Sequence, residues 1–541
     1  MAKVKAVAER GQWSGQFGFI FAAVGSAVGL GNIWRFPGVA YTNGGGAFLI
    51  PYIVALLTAG IPILLFDTAL GHRFRGSAPL AFRRAAGRTG ETLGWFQVLI
   101  SAFIVLYYTA VIGWAASYFV FSFNGAWNQT GSTQDFFIKE YLQVAEAPFT
   151  TQIALSVFIP TAIVWLVAMV VMSGKVSKGL QLVNVIAVPA LLVSFGALVI
   201  GALLQPGAID GVNAFFTPNL EVLSKPDVWI AAYGQIFFSL SIAFGIMLNY
   251  SSYQKRRANV SGSGVLVAFS NSAFELLAGV GVFAALGFMA HQQHIPVAEI
   301  KGISGPILAF VTFPAIISQM PMAPLFGTLF FGSLLLAGFS SLVSIFEAVV
   351  GAIIDKFGIS RAQVVWGFGI VFAIISLGLF ATTSGLTALD TVDNFVNNIG
   401  VVGSAVIGLV LITVIMRRGG ELARHISAIS TFKVGFIWQA LITVISPAVI
   451  TFMLVQVILK LVEKPYEGYP AWYVGIFGWG LIAFMVVFAI ALTFVPWKKE
   501  PADFIPWPHL PGAKPPVGFK NLRATGANRV PIAEQTQKGA N

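Results

Sequence analysis

The chain has no cysteine, few charges and few histidines, and each shortage removes a class of function. The absence of cysteine among 541 residues excludes a disulfide scaffold, a thiol nucleophile and any cysteine-ligated metal. Charged residues make up 10% of the chain, against about 25% in a typical soluble domain, too few to clothe several soluble domains. Of the five histidines, His291 and His294 fall in a polar loop with no carboxylate at ligand spacing, and none lies inside an apolar run. A signal peptide is not indicated: the first apolar run, from Trp13 to about Tyr41, is too long for an h-region and no small-residue cleavage site follows.

What fills the chain is apolar. Hydrophobic residues reach 57% and the mean hydropathy is +0.82. Spanning a bilayer takes about 20 apolar residues, and the runs fall near 13–41, 47–70, 93–123, 151–173, 180–204, 228–253, 264–290, 325–354, 363–382, 394–416, 434–459 and 472–496. These runs predict an all-α polytopic membrane protein with twelve transmembrane helices. The short alternating strands of a membrane barrel do not fit. Segment 303–320, apolar but broken by proline, reads as a re-entrant or surface helix. The tail after Pro496, rich in Pro and Gly, reads as a cytoplasmic extension with little fixed structure.

The net charge of +11 suggests an anionic partner until the charges are placed. The N-terminus, alternate loops and the tail hold 26 of the 32 Lys and Arg residues, and the opposite side holds Arg35, Lys139, Lys225, Lys301, Lys460 and Lys464. By the positive-inside rule both termini are cytoplasmic. The basic character is therefore an orientation signal, and the expected surroundings are a lipid bilayer, with no nucleic acid.

Polar groups at membrane depth are costly and mark sites. The first run carries Gly25-Ser26-Ala27-Val28-Gly29-Leu30-Gly31-Asn32. Glycine costs up to about 1 kcal/mol relative to alanine in a helix and permits unwinding; the same stretch also fits a small-residue packing face. The sixth run has Ser239-Leu240-Ser241 before Phe244-Gly245, the seventh Ser270-Asn271-Ser272 with Glu275, and the eighth Ser340-Ser341. Such hard, neutral oxygens suit a monovalent hard cation such as Na⁺ and not a soft transition metal. A single membrane serine commonly bonds its own helix; several beside a glycine-rich break favour a site. The first and sixth runs each open a group of five, so the chain admits a five-plus-five repeat, whose interrupted helices would point to a transporter's midplane site. The sixth run has no proline and is not a break on its own merits. Periodicity alone stops at a secondary transporter.

The motifs go further. Segment 1 from Gly25 to Pro37 (Gly-Ser-Ala-Val-Gly-Leu-Gly-Asn-Ile-Trp-Arg-Phe-Pro), followed by Asn43 to Tyr52, resembles the signature of the neurotransmitter:sodium symporter family. Gly234 to Gly245 and Ala337-Gly-Phe-Ser-Ser341 are similar to its sixth and eighth segments, and the similarity runs from about Trp13 to 500. The resemblance implies a leucine-transporter-type fold with discontinuous helices 1 and 6. Repeats would span 13–204 and 205–416, helices 11 and 12 would span 417–496, and cytoplasmic ends 1–12 and 497–541.

It further implies sodium-coupled uptake of an amino acid by alternating access. One sodium site would use the Ala27 carbonyl, Asn32, Ser239, Asn271 and the substrate carboxylate. The other would use the carbonyls of Gly25, Val28 and Ala337 with Ser340 and Ser341. The substrate carboxylate would also meet the N–H groups of Leu30 and Gly31, which favour an anion at a half-helix start, and the Tyr108 hydroxyl. Gly29 stands where monoamine carriers have aspartate, which points to amino acids. A pocket lined by Ser26, Ile104, Phe238, Ser241, Phe244, Ser341 and Ile345 favours a neutral, hydrophobic one.

By the same resemblance Arg35 and Asp393 form an external gate, with Phe238 and Tyr108 as an aromatic lid. Arg10 and Asp355, with Trp13, Ser252 and Tyr253, form an internal gate. Gly179 and Pro189 match the motif that lets segment 5 unwind, and Asp67 the carboxylate that supports unwound backbone. Glu275 stands where chloride-dependent members have a neutral residue, which implies that no chloride is required; protonation there would allow proton counter-transport. A homodimer is compatible with the family. The cysteine-free composition and short termini look bacterial, which gives an inner (plasma) membrane.

Other classes lack their parts. No serine-nucleophile elbow or His-Glu-x-x-His is present, so an enzyme is not expected. Gly29-Leu30-Gly31 lacks the third glycine and the preceding strand of a dinucleotide site. Neither a filter loop nor charged rings suggest a channel. The alternative within the family is an amino-acid sensor of the same fold with little transport.

Overall fold

The structure, a computed structural model, describes residues 12–129, 131–176, 179–303, 305–498, 504 and 506–518. Ten helices among them are each long and apolar enough to cross a membrane. Gln16–Ala27 and Gly31–Thr42 make an eleventh span, bent by 52° at the glycine-rich break. The sixth run is two shorter helices, Pro226–Ser239 and Ile246–Ser252, on either side of residues 240–245. Each of the twelve apolar runs is thus helical over most of its length, and the two interrupted ones are the first and the sixth.

The remaining spans are Gly46–Phe74, Ala78–Phe121, Leu155–Ser173, Leu180–Leu203, Val260–Gln293, Ala323–Phe357, Arg361–Phe380, Gly385–Ile415, Phe436–Gly468 and Ala471–Phe494. In chain order, with the interrupted pair as 1 and 6, they are segments 2 to 5 and 7 to 12. Several start with proline in the first turn, where its missing N–H costs nothing: Pro79, Pro226 and Pro324. Segment 9 opens on a reciprocal capping box between Ser360 and Gln363. Segment 303–320 contains a shorter apolar helix, Gly305–Gln319.

Burial sorts these helices into a core and a jacket. The most apolar window of segment 3 is 94% buried, whereas those of segments 9, 11 and 12 are 28% buried. The jacket turns large side chains outward, such as Ile374, Phe436 and Val487, as a bilayer requires. Segment 3 packs chiefly on segment 8, and segment 1 lies against segments 5, 7 and 8. The first of the interrupted helices is thus enclosed by core helices.

Two expectations about the basic regions need correction. Residues 71–92 are not a loop: segment 2 continues to Phe74, and segment 3 begins at Ala78 and bends at Gly87, where φ is 71°. His72 consequently lies buried in a helix, with Nδ1 2.9 Å from Nε2 of buried His425. Burial beside Arg73 and Arg75 pushes the His425 imidazole well below its usual pKa. Of the tail, residue 504 and residues 506–518 are described, and these pack on the helices, while 519–541 lie outside the described residues. Arg73 donates to the Pro508 carbonyl at 2.6 Å, Arg418 to those of Lys514 and Pro515 at 3.0 and 2.7 Å, and Arg84 covers the Phe504 ring at 4.1 Å. Proline-rich chain cannot bond itself as a helix, so its carbonyls are open to arginine.

Several of the scarce charges are paired inside the protein. Glu91 takes Lys356, Arg83 and the Trp497 indole N–H; Glu421 bridges Arg73 and Arg418; Arg361 grips Glu347. Lys356 and Glu91 are both fully buried. Removing one partner of such a pair typically costs about 3–5 kcal/mol. Glu91→Gln is therefore expected to lower the thermal unfolding midpoint of detergent-purified protein clearly; an unchanged midpoint contradicts the buried pair.

Candidate functional site

A helix broken inside a bilayer exposes N–H and C=O groups that water cannot satisfy. Segment 1 solves this with side chains. The Val28 N–H still bonds back to the Val24 carbonyl (2.7 Å), and Val28 itself is extended. The Gly29 N–H donates to Asn32 Oδ1 (2.9 Å) and the Leu30 N–H to the Tyr108 hydroxyl (3.2 Å). Asn32 is thus a local cap as well as a candidate ligand.

Segment 6 is broken more sharply than its sequence suggests. Ser241, Ala243 and Gly245 all have positive φ, at 52°, 65° and 87°. Only glycine adopts this region freely, so the neighbours must hold the other two. They do: the Ala243 N–H donates to Asp67 Oδ2 (2.8 Å), Ser404 donates to the Ala243 carbonyl, and Ser101 donates to the Phe244 carbonyl (2.7 Å). Segments 2, 10 and 3 each supply one clasp, and Gln97 steadies Ser404 at 3.1 Å. Asp67 therefore binds unwound backbone, as expected of it.

The two breaks meet. Ser241 donates to the Ser26 carbonyl at 3.1 Å. From there two oxygen clusters diverge. Asn32 Nδ2 donates to Asn271 Oδ1 (2.8 Å), and Asn271 Nδ2 donates to Ser239 Oγ (3.1 Å), linking segments 1, 7 and 6. In the second cluster Ser340 donates to the carbonyls of Gly25 and Ala337 (both 2.9 Å), and Ser341 reaches those of Gly25 (3.3 Å) and Ser26 (3.2 Å). Ala27 and Val28 lie between the clusters on the same stretch of backbone. All these residues are buried. Neutral amide, hydroxyl and carbonyl oxygens make both clusters suited to a hard monovalent cation.

Between the clusters the backbone leaves room for little beyond hydrogen at two glycines. A Cβ on Gly29 would sit 2.8 Å from Ser341 Oγ and 3.0 Å from the Tyr108 hydroxyl. A Cβ on Gly31 would sit 2.2 Å from Cε1 of Phe238, whose ring closes over the break. The Ser26 hydroxyl is buried without a partner. Ile104, Phe244 and Ile345 are buried in the surrounding core.

Glu275 is fully buried one turn beyond Asn271. Gln235 donates to it at 2.6 Å and Tyr52 bonds it through its hydroxyl, which also lies 2.8 Å from Ser272 Oγ. Tyr52 and Gln235 escaped the sequence reading; their signal was only polarity inside an apolar run. Asn184 of segment 5 escaped it for the same reason.

The gate residues divide. Among the described residues Arg35 and Asp393 form no ion pair. The Arg35 guanidinium lies 4.5 Å from the centroid of Phe238, and Asp393 accepts from Tyr107 (2.6 Å) and Asn397 (2.8 Å). At the other end Trp13 is tied down: its indole donates to the Tyr250 carbonyl (2.8 Å) and its backbone N–H to that of Tyr253 (3.3 Å). Asp355 accepts from the Ser77 N–H at 2.8 Å. Arg10 lies outside the described residues. Gly179 immediately precedes segment 5, and Pro189 lies inside it.

Comparison with known proteins agrees with this architecture. The model of the Sodium:neurotransmitter symporter family matches residues 10–134 and 126–500. The chain is 39% identical over 487 residues to an uncharacterized sodium-dependent transporter of Methanocaldococcus jannaschii, covering 90% of this chain and 97% of that one. It is 28% identical over 563 residues to a sodium- and chloride-dependent glycine transporter 2 of Xenopus laevis, covering 92% and 70%. It is 31% identical over 384 residues to a sodium- and chloride-dependent GABA transporter 2 of Bos taurus, covering 64% and 62%. With its broken first helix, buried oxygen clusters and family match over most of its length, the chain belongs to the sodium:neurotransmitter symporter family, and is an integral-membrane, sodium-dependent transporter and not an enzyme.

Proposed function

We propose that the protein is a symporter that takes up neutral, hydrophobic L-amino acids with two sodium ions, without chloride. The observation that carries this reading is the position of Asn32. One of its amide atoms holds the Gly29 N–H and the other reaches Asn271. A cation between Asn32, Asn271, Ser239 and the Ala27 carbonyl lies beside the Leu30 N–H, where a carboxylate is favoured. Carboxylate and cation then complete each other's shells, which couples substrate to ion. The Gly25, Val28 and Ala337 carbonyls with Ser340 and Ser341 hold the second sodium. The tight surroundings of Gly29 support a substrate that brings its own carboxylate. The apolar lining around Ser26, Ser241 and Ser341 supports a neutral side chain.

The five-plus-five organisation, with repeats over 13–204 and 205–416, is supported by the breaks at corresponding positions. The distribution of Lys and Arg supports cytoplasmic termini in an inner (plasma) membrane. Arg35 with Asp393, and Arg10 with Asp355 near Trp13, Ser252 and Tyr253, are read as outer and inner gates.

In proteoliposomes, an inward sodium gradient is expected to drive accumulation of radiolabelled neutral amino acids; binding without accumulation overturns the transport reading. Asn32→Ala is expected to raise the sodium half-saturation of substrate binding about tenfold or more, equivalent to about 1.4 kcal/mol; an unshifted titration removes the first site. Glu275 supplies a fixed carboxylate where an external anion would otherwise be needed, and a protonatable one if a proton returns outward. Uptake is expected to be unchanged when gluconate replaces chloride, and its loss contradicts this role.

A further inference from the structure

Asn184 is a polar residue inside segment 5 for which neither packing nor helix capping gives a complete account. It is fully buried. Its Nδ2 donates to the Leu180 carbonyl at 2.8 Å, which fixes the amide plane. Its Oδ1 has no hydrogen-bond partner. A buried amide oxygen left without a partner is costly, and nearly all such groups are satisfied. This one faces Gly25: a Cβ there would lie 2.0 Å from Asn184 Oδ1 and 3.0 Å from Val188 Cγ2.

Gly25 is the residue whose carbonyl accepts from both Ser340 and Ser341. Segment 5 grips segment 1 along a line that leads to it. Residues 181, 184 and 188 share one helical face. Gln181 brackets Ser14, accepting from its N–H at 3.1 Å and donating to its hydroxyl, and lies under Gly18. Asn184 then meets Gly25. Glycine at position 25 thus lets the Asn184 oxygen of segment 5 press on the backbone of the residue whose carbonyl joins the second oxygen cluster. In that cluster the Gly25 and Ala337 carbonyls already receive hydroxyl protons, whereas Asn184 Oδ1 is a hard neutral oxygen with all its acceptor capacity free.

We propose that Asn184 contributes its amide oxygen to the second sodium ion from the segment 5 side. This inference rests on the reading of Gly25, Val28, Ala337, Ser340 and Ser341 as that ion's site. An amide oxygen is the same class of donor as the backbone carbonyls already there. Leucine at the position keeps the branched heavy-atom shape and removes the oxygen, while aspartate keeps the shape and adds a charge that attracts a cation.

The test is equilibrium binding of radiolabelled Na⁺ to the purified full-length protein, with unlabelled Na⁺ as competitor. Asn184→Leu is expected to raise the half-saturation of the weaker or stronger of the two components by about fivefold, and Asn184→Asp to lower that same component by a similar factor. Gly25→Ala, whose Cβ would displace the Asn184 oxygen, is expected to weaken it as well. A packing role moves the leucine and aspartate variants in the same direction or neither, and either result overturns the proposal. Ser340→Ala separates the two layers. If it shifts sodium binding and the Asn184 variants do not, Asn184 is no ligand; if it shifts nothing, the second site itself is misplaced.

Discussion

The structure depends on one constraint: a backbone that leaves the helical path inside a bilayer must have every freed N–H and C=O taken up by protein. Both breaks meet part of it with side chains, most of them from other segments. Asn32 and Tyr108 take the amides of segment 1. Asp67, Ser101 and Ser404 take the peptide groups of segment 6. The core helices 2, 3, 8 and 10 are therefore positioned by the same bonds that create the site. On the proposed reading, a cation or carboxylate entering this region would exchange partners with groups that also hold the fold. That is a physical route by which ligand occupancy changes the relation between helices.

Charge follows the same economy. Inside the core the oxygen clusters are neutral, which suits the monovalent cations proposed for them without a fixed counter-ion in either cluster. Glu275 is the nearby exception, and its Gln235 and Tyr52 partners keep it hydrogen-bonded. Toward the ends of the helices, Arg73, Arg418, Lys356 and Arg361 are folded into ion pairs with Glu421, Glu91 and Glu347. Residues that serve as an orientation signal in the sequence thus also brace helix ends against each other.

Much of this was legible beforehand because polarity inside an apolar run is a strong signal. Asn32, Ser239, Asn271, Ser340 and Ser341 stood out individually, and the fold brings them into two hydrogen-bonded clusters. The break in segment 6 was barely visible: its left-handed turns fall at Ser241 and Ala243, residues with no sequence preference for them, and are stabilised by Asp67, Ser101 and Ser404 from distant parts of the chain. Tyr52, Gln235 and Asn184 were missed because one polar side chain in a helix has an ordinary reading until its partner is known. Arg35 and Asp393 show the opposite limit. Their identity matched a motif, but their present partners, Phe238 for one and Tyr107 and Asn397 for the other, depend on side-chain placement that no motif encodes. The packing of the described tail residues 506–518 is not legible in their composition because it comes from Arg73 and Arg418 elsewhere in the chain.

The central claim is that the broken first helix carries two cation sites, one of which is completed by the substrate. The most direct measurement is simultaneous uptake of radiolabelled sodium and radiolabelled amino acid into proteoliposomes at fixed membrane potential. Two sodium ions are expected to enter per amino acid, with neither flux sustained without the other. Amino-acid accumulation that persists in sodium-free medium, or a ratio of one, would contradict that claim.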